Sequence, residues 1–556
     1  MRPSSLFLFA ALATLNAAHA ATVLDRANGY TLNSKNELVR FASLAFDDAG
    51  RIISVGSAAQ VAAKAPNARH IDMNGQTVLP GLIDAHGHVF GLGDMLTQLD
   101  LSTTTSLADA LKVTAVYARA NPNNGPDSAW LRGRGWNQEV WKLGRFPTAA
   151  ELDGVVPNRP IWLERVDGHA GWANSAALKL AGITNTTPDP VGGKILRDAQ
   201  GNATGILVDS AKELVERVLP KQSEAGARIA LDRALAELAR VGLTTVHDAG
   251  IPIASDALYR DYADNGKLTA RVYAMIGGTE HDFDVLAAKG PLKTYANDMY
   301  ALRAVKLYSD GALGSRGAAL IAPYSDEPTS HGLLFKTDAQ MRAMMEKAMK
   351  KGYQVNVHAI GDAGNRQILD GYQELIGKTA TSGLRHRIEH AQVVAPADIP
   401  RFRQIGVIPS MQPTHATSDM NMAEQRVGTE RIKGAYAWRT FLKQNSRIAC
   451  GSDFPVEAPN PFFGIHAAVT RQNAANLPAA GWHKEQAMTL NEAFRCFTLD
   501  AAFAGHEENQ VGSLEAGKWA DFIVIDRDMF TIAPADIHKI GVLQTWVAGK
   551  QVFQKK

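Results

Sequence analysis

The stretch PGLIDAHGHVFGLG, residues 80–93, ends an apolar run with two histidines one residue apart. Successive side chains of a β-strand point to opposite faces, so His86 and His88 would face the same way. Glycines at positions 91 and 93 follow the pair and favour an end to the strand. Such a pair is either a solvent-facing feature of a strand end or one half of a metal site. The rest of the chain decides between these two interpretations.

The composition is that of a globular protein, with 46% hydrophobic and 21% charged residues in a chain of 556. The formal net charge of +2 gives no reason to expect nucleic acid or an anionic membrane as a partner. A chain of this length can bury a large core, and an α/β barrel alone can take about 250 residues. The length and composition of the chain are therefore compatible with a large enzyme domain.

Residues 1–20 predict a secretory signal peptide. Arg2 is followed by the apolar run LFLFAALATL, residues 6–15, and by a small-x-small cleavage site, AHA, at residues 18–20. The apolar run is too short to act as a membrane anchor, and position 21 is alanine rather than a lipid-accepting cysteine. We expect a soluble, exported protein, periplasmic or secreted. A buried N-terminal helix is the alternative.

Two cysteines, Cys450 and Cys496, are present. An exported protein could pair them in a disulfide. Cys450 lies in an apolar, strand-like run and Cys496 in a helix-like one, a pattern that favours two buried free thiols. We therefore expect free thiols, with the disulfide as the alternative.

The two ends of the mature chain have the same character. FASLAFDDAGRIISVG, residues 41–56, is two apolar runs joined by a turn signal. GSLEAGKWADFIVIDRD, residues 512–528, and TWVAGKQVF, residues 545–553, are short strand-like runs around glycine turns. Neither end has enough apolar surface to be stable alone, so we expect residues 21–78 and 506–556 to form one small β-sandwich.

Between the two ends, β-type runs alternate with helical stretches, a pattern that predicts a (β/α)8 TIM barrel. The predicted barrel comprises its first strand within residues 79–94 and a main part at 241–505. About 160 residues separate the first two strands, so residues 95–240 are expected to form an inserted subdomain over the barrel mouth. The eight predicted strands are 77–84, 243–247, 270–276, 303–308, 353–358, 385–389, 407–411 and 447–451.

Barrel enzymes place their reactive groups at the carboxyl ends of the strands. In this sequence those ends carry four imidazoles, one lysine and one carboxylate that would converge in a closed barrel. Imidazole and carboxylate suit zinc and similar divalent ions. The joint pattern predicts a catalytic metal site, although each residue alone could be structural. The six residues are His86, His88, Lys306, His358, His390 and Asp453.

These residues and their surroundings resemble the metal-dependent amidohydrolase superfamily, in particular the YtcJ-like branch of the amidohydrolase 3 group. The resemblance extends over nearly all of the mature chain. It implies a hydrolase with one or two metals, most often zinc, in a barrel flanked by a β-sandwich from both chain ends. The motifs that carry it are LPGLIDAHGH, RVDGHAGWANSAAL, VKLYSDGALGSRGAAL, VNVHAIGD, RIEHAQ, GSDFPVEAPNP and GSLEAGKWADFIVID.

The resemblance also implies a role for each metal-binding candidate. The first ion would be held by His86, His88 and Asp453. The second ion would be held by His358 and His390.

Lys306 would bridge the two ions after carboxylation of its amine. An ammonium cannot sit between two cations, whereas a carbamate offers two oxygens and a negative charge. A strand-end salt bridge beside a single metal is the alternative for this lysine. The expected mechanism is attack of a metal-held hydroxide on a carbonyl carbon, with Asp453 as the catalytic proton shuttle.

Further residues are candidates for substrate binding. The first three lie in one motif of the inserted segment, and the resemblance suggests that this loop lines the pocket; a self-stabilised turn is the alternative. The other two either orient substrate or brace the loop after strand four. Residues 133–141, and Gln412 with His415, are candidate pocket walls; surface tryptophans under a loop are the alternative. The five binding candidates are Arg165, Asp167, His169, Asp310 and Arg316.

Three functions agree with this pattern. The leading hypothesis is hydrolysis of a non-peptide amide, such as an N-acyl or N-formyl amine. The second is a dipeptidase or an esterase or lactonase that uses the same site. The third is a non-catalytic exported protein that binds a metal or another ligand. We expect a small-molecule substrate and no nucleic-acid partner, with a homodimer left open.

Overall fold

The computed structural model describes residues 21–33, 35–123, 129–165, 170–190 and 193–556. The predicted signal peptide lies outside the described residues, as do the candidates Asp167 and His169. Within the described ranges, no helix has the length and apolar character needed to cross a membrane.

The described residues contain 25 short strands, which are arranged in four sheets. In chain order they are β1 (Ala21–Asp25), β2 (Asn28–Leu32), β3 (Leu38–Phe41), β4 (Ser43–Asp47), β5 (Ile52–Gly56), β6 (Arg69–Asp72), β7 (Thr77–Pro80), β8 (Leu82–Gly87), β9 (Leu99–Asp100), β10 (Leu131–Trp136), β11 (Ile161–Arg165), β12 (Ala170–Ala173), β13 (Gly193–Arg197), β14 (Ala203–Asp209), β15 (Leu243–Ile251), β16 (Arg271–Gly277), β17 (Leu292–Tyr295), β18 (Tyr300–Tyr308), β19 (Gln354–Ala359), β20 (Arg387–His390), β21 (Ile408–Met411), β22 (Ala449–Cys450), β23 (Phe522–Ile525), β24 (Val542–Val547) and β25 (Lys550–Gln554).

Helices connect most of the later strands. In chain order they are α1 (Ala58–Lys64), α2 (Val89–Thr97), α3 (Leu107–Ala120), α4 (Ala149–Asp153), α5 (Ser175–Leu180), α6 (Glu213–Glu216), α7 (Glu224–Arg240), α8 (Ile253–Asp264), α9 (His281–Leu286), α10 (Asp338–Lys350), α11 (Asp362–Thr379), α12 (Ile399–Ile405), α13 (Pro413–Asp419), α14 (Ala423–Arg431), α15 (Trp438–Lys443), α16 (Pro461–Thr470), α17 (Leu490–Cys496) and α18 (Leu499–Ala504).

The barrel sheet runs in the order β8, β15, β16, β18, β19, β20, β21, β22, and each neighbouring pair in this row is parallel. The row curls so that its last and first strands meet, where the backbone N–H of Asp453 donates to the carbonyl oxygen of His86 over 2.7 Å. The predicted TIM barrel is confirmed.

The connecting helices follow their sequence pattern, as α10 illustrates. Thr337 caps its first turn in a capping box with Gln340. Met341, Met345 and Met349 are buried on one face of the helix, at the spacing expected for an amphipathic helix.

The predicted first strand, residues 77–84, is wrong in one respect. The structure divides it at Gly81 into β7, which pairs with β2 and β23, and β8, which joins the barrel. A Cβ at position 81 would lie 2.0 Å from the Thr244 Oγ1 atom, so the chain passes too close to the next barrel strand for any side chain. An uninterrupted apolar run does not reveal that its two halves serve different sheets.

The two chain ends form a β-sandwich, as predicted. One sheet has the order β5, β4, β1, β6, and the other has the order β25, β24, β23, β7, β2, β3. Apolar residues from both ends share a buried core, in which the Phe522 and Trp546 rings stack 5.2 Å apart beside Phe46.

The segment between β8 and β15 forms a separate sheet with the order β13, β14, β12, β11, β10, β9. Its core contains Trp136, Trp141 and Trp172. Trp136 and Trp141 are therefore packing residues of this sheet, although residues 133–141 had been considered as a pocket wall. The insertion is present as predicted; its place over the barrel mouth stays a prediction.

The expectation of free thiols is wrong. Cys450 at the end of β22 and Cys496 at the end of α17 form a disulfide, with their Cα atoms 5.2 Å apart. Both residues are buried. An apolar sequence context indicates burial, but it does not distinguish a buried thiol from a buried disulfide; the packing of strand end against helix end decides it.

Candidate active site

The six predicted metal-binding residues lie at or just beyond the carboxyl ends of barrel strands. His86 is the last residue but one of β8 and His88 directly follows the strand, so both lie at the same strand end. The other four come from or directly follow separate strands and complete the set: Lys306 in β18, His358 in β19, His390 in β20 and Asp453 after β22.

Asp453 joins the two early histidines. Its Oδ1 atom lies 3.4 Å from the His86 Nε2 atom and 3.1 Å from the His88 Nε2 atom. The ligand atoms of these three residues all lie within 4.8 Å of one another. Two imidazoles and a carboxylate in this arrangement can hold a divalent ion.

The remaining candidates lie directly beside this group. The Lys306 Nζ atom is 3.2 Å from the His86 Nε2 atom. The His390 ring centre lies 4.9 Å from that of His86 and 4.5 Å from that of His358. The structure therefore gathers all six residues at one end of the barrel.

His415 also belongs to this group, although it was considered only as a pocket wall. Its Nε2 atom lies 3.7 Å from the Asp453 Oδ2 atom, and its ring stacks 5.8 Å from that of His390. His390, His415 and Asp453 form a second set of ligand atoms within 4.8 Å of one another. The signal was its position just after strand seven, at the same barrel end as the other candidates.

The donors fit a metal ion. The His415 Nε2 atom is buried and has no hydrogen-bond partner, and the same is true of the His358 Nε2 atom. Buried polar atoms almost always have partners. An imidazole nitrogen beside a carboxylate is a typical zinc donor, so a bound ion would account for the His415 nitrogen.

Electrostatics favour the ligand forms of these side chains. Burial holds the pKa of His86 and His390 well below the usual range, and the Lys306 charge acts in the same direction. Burial and the Lys306 charge also lower the pKa of His358 to about 3. These imidazoles are therefore neutral at pH 7, which is the form that binds metals.

Asp453 is held as a carboxylate. Burial alone would raise its pKa, but the hydrogen bond with His88 and the electrostatic interactions with the neighbouring His86 and His390 rings outweigh burial and hold the pKa well below its usual range. Its backbone has a φ of 60°, and that of His390 has a φ of 74°. Such strained backbone is concentrated at functional sites.

Two imidazoles have partners on their outer nitrogens. The His86 Nδ1 atom lies 2.6 Å from the Glu389 Oε2 atom, and the His390 Nδ1 atom lies 2.8 Å from the Gln412 Oε1 atom. Glu389 was not among the candidates predicted from the sequence. The available signal was a carboxylate inside the buried strand motif RIEH, where an unpaired charge would be costly.

Asp84 fixes the two strands that carry the first group. Its carboxylate accepts hydrogen bonds from the Ser452 backbone N–H at 3.1 Å, from the Ser452 hydroxyl at 2.6 Å and from the His86 backbone N–H at 3.0 Å. Burial raises its pKa to about 7. Asp84 thus ties strand one to the loop that presents Asp453.

Asp310 braces a loop. Its carboxylate accepts backbone hydrogen bonds from Ala319 at 2.8 Å, Ile360 at 3.0 Å and Gly361 at 2.8 Å. It lies 3.8 Å from the His358 Nε2 atom. Of its two predicted roles, the observed contacts match the bracing alternative.

The two candidate arginines have protein partners. Arg316 pairs with Asp326, with an Nη2–Oδ2 distance of 3.0 Å. The Arg165 Nε atom donates to the Gln138 side-chain oxygen over 2.9 Å within the inserted segment. Neither of these contacts involves the metal-binding group, so their substrate role stays a prediction.

Comparisons with known proteins agree with this geometry. Residues 69–553 match the family described as "Amidohydrolase family". The amidohydrolase YtcJ of Bacillus subtilis (strain 168) is 32% identical over 495 residues, which cover 88% of this chain and 91% of the relative. The N-substituted formamide deformylase of Arthrobacter pascens is 30% identical over 547 residues, which cover 96% of this chain and 98% of the relative. An uncharacterized metal-dependent hydrolase from Pyrococcus horikoshii OT3 has a TM-score of 0.76 at 27% identity, and the match covers 92% of this chain and 99% of that structure.

Proposed function

Because this chain belongs to the amidohydrolase family, we propose that it is an exported hydrolase that cleaves a non-peptide amide bond with the help of two divalent ions, preferably zinc. The substrate class is an N-acyl or N-formyl amine. The observation that carries the proposal is the gathering of His86, His88, His390 and His415 around the single carboxylate of Asp453. The similarity to an N-substituted formamide deformylase supports the choice of bond.

The proposed ligands of the first ion are His86, His88 and Asp453. Those of the second are His358 and His390. When bound, the ions would polarise a carbonyl group and lower the pKa of water.

Lys306 is the proposed bridge, as a carbamate. It is 1% exposed, and its Nζ atom lies 3.2 Å from the His86 Nε2 atom and 4.6 Å from the centre of the Tyr308 ring. A buried ammonium has lost its hydration, and here the cited contacts that offset this loss are a neutral imidazole and the face of an aromatic ring. Carboxylation would replace that cation with an anion among metal ligands.

Asp453 is the proposed proton carrier. It would take a proton from the attacking water and deliver it to the nitrogen of the leaving amine. One of its oxygens contacts His86 and His88 and the other faces His415, so the carboxylate reaches both sides of the centre. Tyr308 is exposed and its ring lies 5.4 Å from that of His358, so it could contact a substrate at the barrel mouth.

The alternatives fit the structure less well. A dipeptidase needs a cation for the substrate's terminal carboxylate, and the two arginines considered for that role are already engaged with Gln138 and Asp326. A non-catalytic binding protein would have no need for a strained aspartate and a buried lysine beside its metal ligands. Ester or lactone cleavage would use the same ligands and is an outcome of the test below.

The test combines metal analysis with a substrate panel. The purified mature protein should contain two equivalents of zinc and release an amine from N-formyl or N-acyl amines, but not from dipeptides. Full metal content without turnover of amides, dipeptides or esters would favour the binding-protein alternative. Turnover of esters or lactones alone would overturn the choice of bond.

Export is part of the proposal. The predicted signal peptide and the disulfide between Cys450 and Cys496 support it, because disulfides persist in oxidising compartments. Expression of the full chain in a bacterium with two membranes should yield a periplasmic protein that begins at Ala21. A cytoplasmic protein with an intact N-terminus would contradict this.

A further inference from the structure

Two of the proposed ligands, His86 and His390, have different hydrogen-bond partners on their Nδ1 atoms. His86 contacts a carboxylate, since its Nδ1 atom lies 2.6 Å from the Glu389 Oε2 atom. His390 contacts a neutral amide, since its Nδ1 atom lies 2.8 Å from the Gln412 Oε1 atom. Both partners are fully or almost fully buried, at 0% and 3% exposure.

Each contact fixes the protonation of its ring. A carboxylate oxygen and an amide oxygen can only accept, so each Nδ1 atom carries the hydrogen and each Nε2 atom keeps its lone pair. The His86 Nε2 atom faces Asp453 and Lys306. The Gln412 amide nitrogen donates to the Ser410 carbonyl over 3.4 Å, which orients its oxygen toward His390.

The two contacts are not equivalent in strength. A hydrogen bond to a charged acceptor is about twice as strong as one between neutral groups. A carboxylate behind an imidazole also makes the ring a more basic ligand. Glu389 behind His86 should therefore raise the affinity of the first site for its ion. Gln412 behind His390 should raise the affinity of the second site by less.

The charge of Glu389 has a buried counterion. The Arg387 Nη1 atom lies 3.9 Å from the Glu389 Oε1 atom, and both side chains are 0% exposed. The same Nη1 atom donates to the His247 Nδ1 atom over 3.0 Å, and the Arg387 Nη2 atom donates to the Ala504 carbonyl over 2.6 Å. These contacts fix the guanidinium within the barrel, below the metal ligands.

We propose that Glu389 is the positioning residue of the first metal site, and that the carboxylate behind His86 and the amide behind His390 make the first ion bind more tightly than the second. This inference rests on the proposed two-ion function and adds an order of loading to it. The first ion fills at concentrations that leave the second site empty.

The experiment measures zinc affinity at each site separately, by titration against chelators of known strength. His88→Ala leaves the second site, because His88 is not among the proposed ligands of the second ion; His358→Ala leaves the first site for the corresponding reason. We expect the His358→Ala protein to bind its ion more tightly than the His88→Ala protein. Equal affinities, or the reverse order, would overturn the proposed loading order.

Glu389→Gln then tests the positioning residue in each background. It keeps the size of the side chain and an acceptor oxygen but removes the charge. In the His358→Ala background we expect zinc affinity to fall about 10- to 100-fold, the effect typical of losing such a partner. In the His88→Ala background we expect less than about a threefold change, because Glu389 contacts His86 rather than His390.

Asp500→Asn is the matched control. Asp500 is another buried carboxylate, and it pairs with Arg495 at 2.7 Å outside the site. It should leave the affinity of the first ion unchanged, even where it lowers the thermal stability as much as Glu389→Gln does. An equal loss of affinity in both variants would make Glu389 a general stabiliser of the fold and overturn the inference.

The outcomes separate this inference from the proposed function. If the wild-type protein binds no zinc at all, the proposed function fails. If it binds two ions and Glu389→Gln leaves the affinity of the first ion unchanged, the proposed function stands and the positioning role of Glu389 is wrong.

Discussion

Asp453 is the residue whose contacts depend most on a special backbone position. Its φ of 60° turns the carboxylate back toward the barrel, where Oδ1 reaches His88 at 3.1 Å and Oδ2 reaches His415 at 3.7 Å. The side chain can therefore serve as a ligand and as a proton carrier from one place. These two roles make different demands, because a ligand needs only an oxygen atom, whereas a proton carrier must also accept and release a proton.

Replacing Asp453 with Asn should separate these roles. The amide keeps one oxygen for an ion but cannot accept the proton, so we expect kcat to fall at least 100-fold while most of the zinc is retained. The measurement is kcat on the best amide of the panel together with zinc content. Near-normal turnover would show that another group moves the proton.

Gly451 is a second residue on which the site depends. A Cβ at this position would lie 2.5 Å from the Asp84 Oδ1 atom and 2.6 Å from the His86 backbone nitrogen. The barrel closes here, so no side chain fits between strand one and strand eight.

Gly451→Ala should therefore lower both the melting temperature and the zinc content. The added methyl group pushes β8 and the Asp453 loop apart. Gly383→Ala is the control, because a Cβ there would meet nothing within 4 Å. A Gly451→Ala protein with full zinc content and an unchanged melting temperature would mean that this closure is less tight than described.

At the scale of elements, the disulfide fixes the shortest barrel strand. β22 contains only Ala449 and Cys450, and Cys496 at the end of α17 holds it from outside the sheet. The cysteines are 46 residues apart in the chain. The candidate metal ligand Asp453 follows this strand after two residues, so the crosslink lies close to the candidate site.

Removing the crosslink should destabilise the protein. A loop of this length gives about 4 kcal/mol in the chain-entropy description, and measured losses are about 2–5 kcal/mol. We expect a Cys450→Ala/Cys496→Ala protein to melt at a lower temperature. Reductant should lower the melting temperature of the wild type toward that of the variant and leave that of the variant unchanged. If the fully reduced wild type melts at the same temperature as the oxidised wild type, the prediction is wrong.

The elements also show where sequence patterns stop being informative. The alternation of apolar runs with amphipathic helices such as α10 predicted the barrel, because each period is a local property of the chain. The division at Gly81 was not predictable, since it depends on the proximity of Thr244 in another strand. The Cys450–Cys496 pair was missed for the same reason: pairing depends on three-dimensional distance.

At the scale of the whole molecule, the end of the barrel away from the metal centre contains an unusual carboxyl group. The Glu507 Oε2 atom lies 3.4 Å from the His247 Nε2 atom and has no hydrogen-bond partner. Burial raises the pKa of Glu507 to about 8, although Arg271, Arg387 and Arg303 act to lower it.

This shift predicts how stability depends on pH. Glu507 is protonated in the native protein up to about pH 8, whereas an unfolded glutamate ionises near pH 4.3. Its contribution to stability is full below the unfolded pKa and is lost as pH rises toward 8. Glu507→Gln removes this loss, so relative to wild type the variant should gain about 4 kcal/mol in unfolding free energy between pH 5 and pH 8.5.

Urea unfolding of both proteins at the two pH values is the measurement. Wild type and variant should differ more at pH 8.5 than at pH 5, with the variant favoured at the higher value. A difference that does not change with pH would show that Glu507 titrates normally in the native state.

The site, like the fold, was predictable where it depends on local sequence patterns and not where it depends on contacts between distant residues. Strand-end positions predicted the six candidates from His86 to Asp453, because a parallel barrel brings those ends together. His415 was predicted only as a pocket wall and not as a ligand, since it lies in a helix after the strand. Glu389 was not predicted, since a strand residue next to His390 would be expected to face away from it. Only the three-dimensional packing shows that its carboxylate meets His86.

The sandwich sheet also constrains the order of events during synthesis. β7 lies between β2 and β23, so its hydrogen bonds on one side are supplied by the last forty residues of the chain. Until the ribosome has released that tail, β7 lacks its neighbour β23 and the sheet keeps an open edge there. A polypeptide whose sheet is completed by its final segment stays incompletely folded until that segment emerges, and the proposed export would need a chain that is still unfolded.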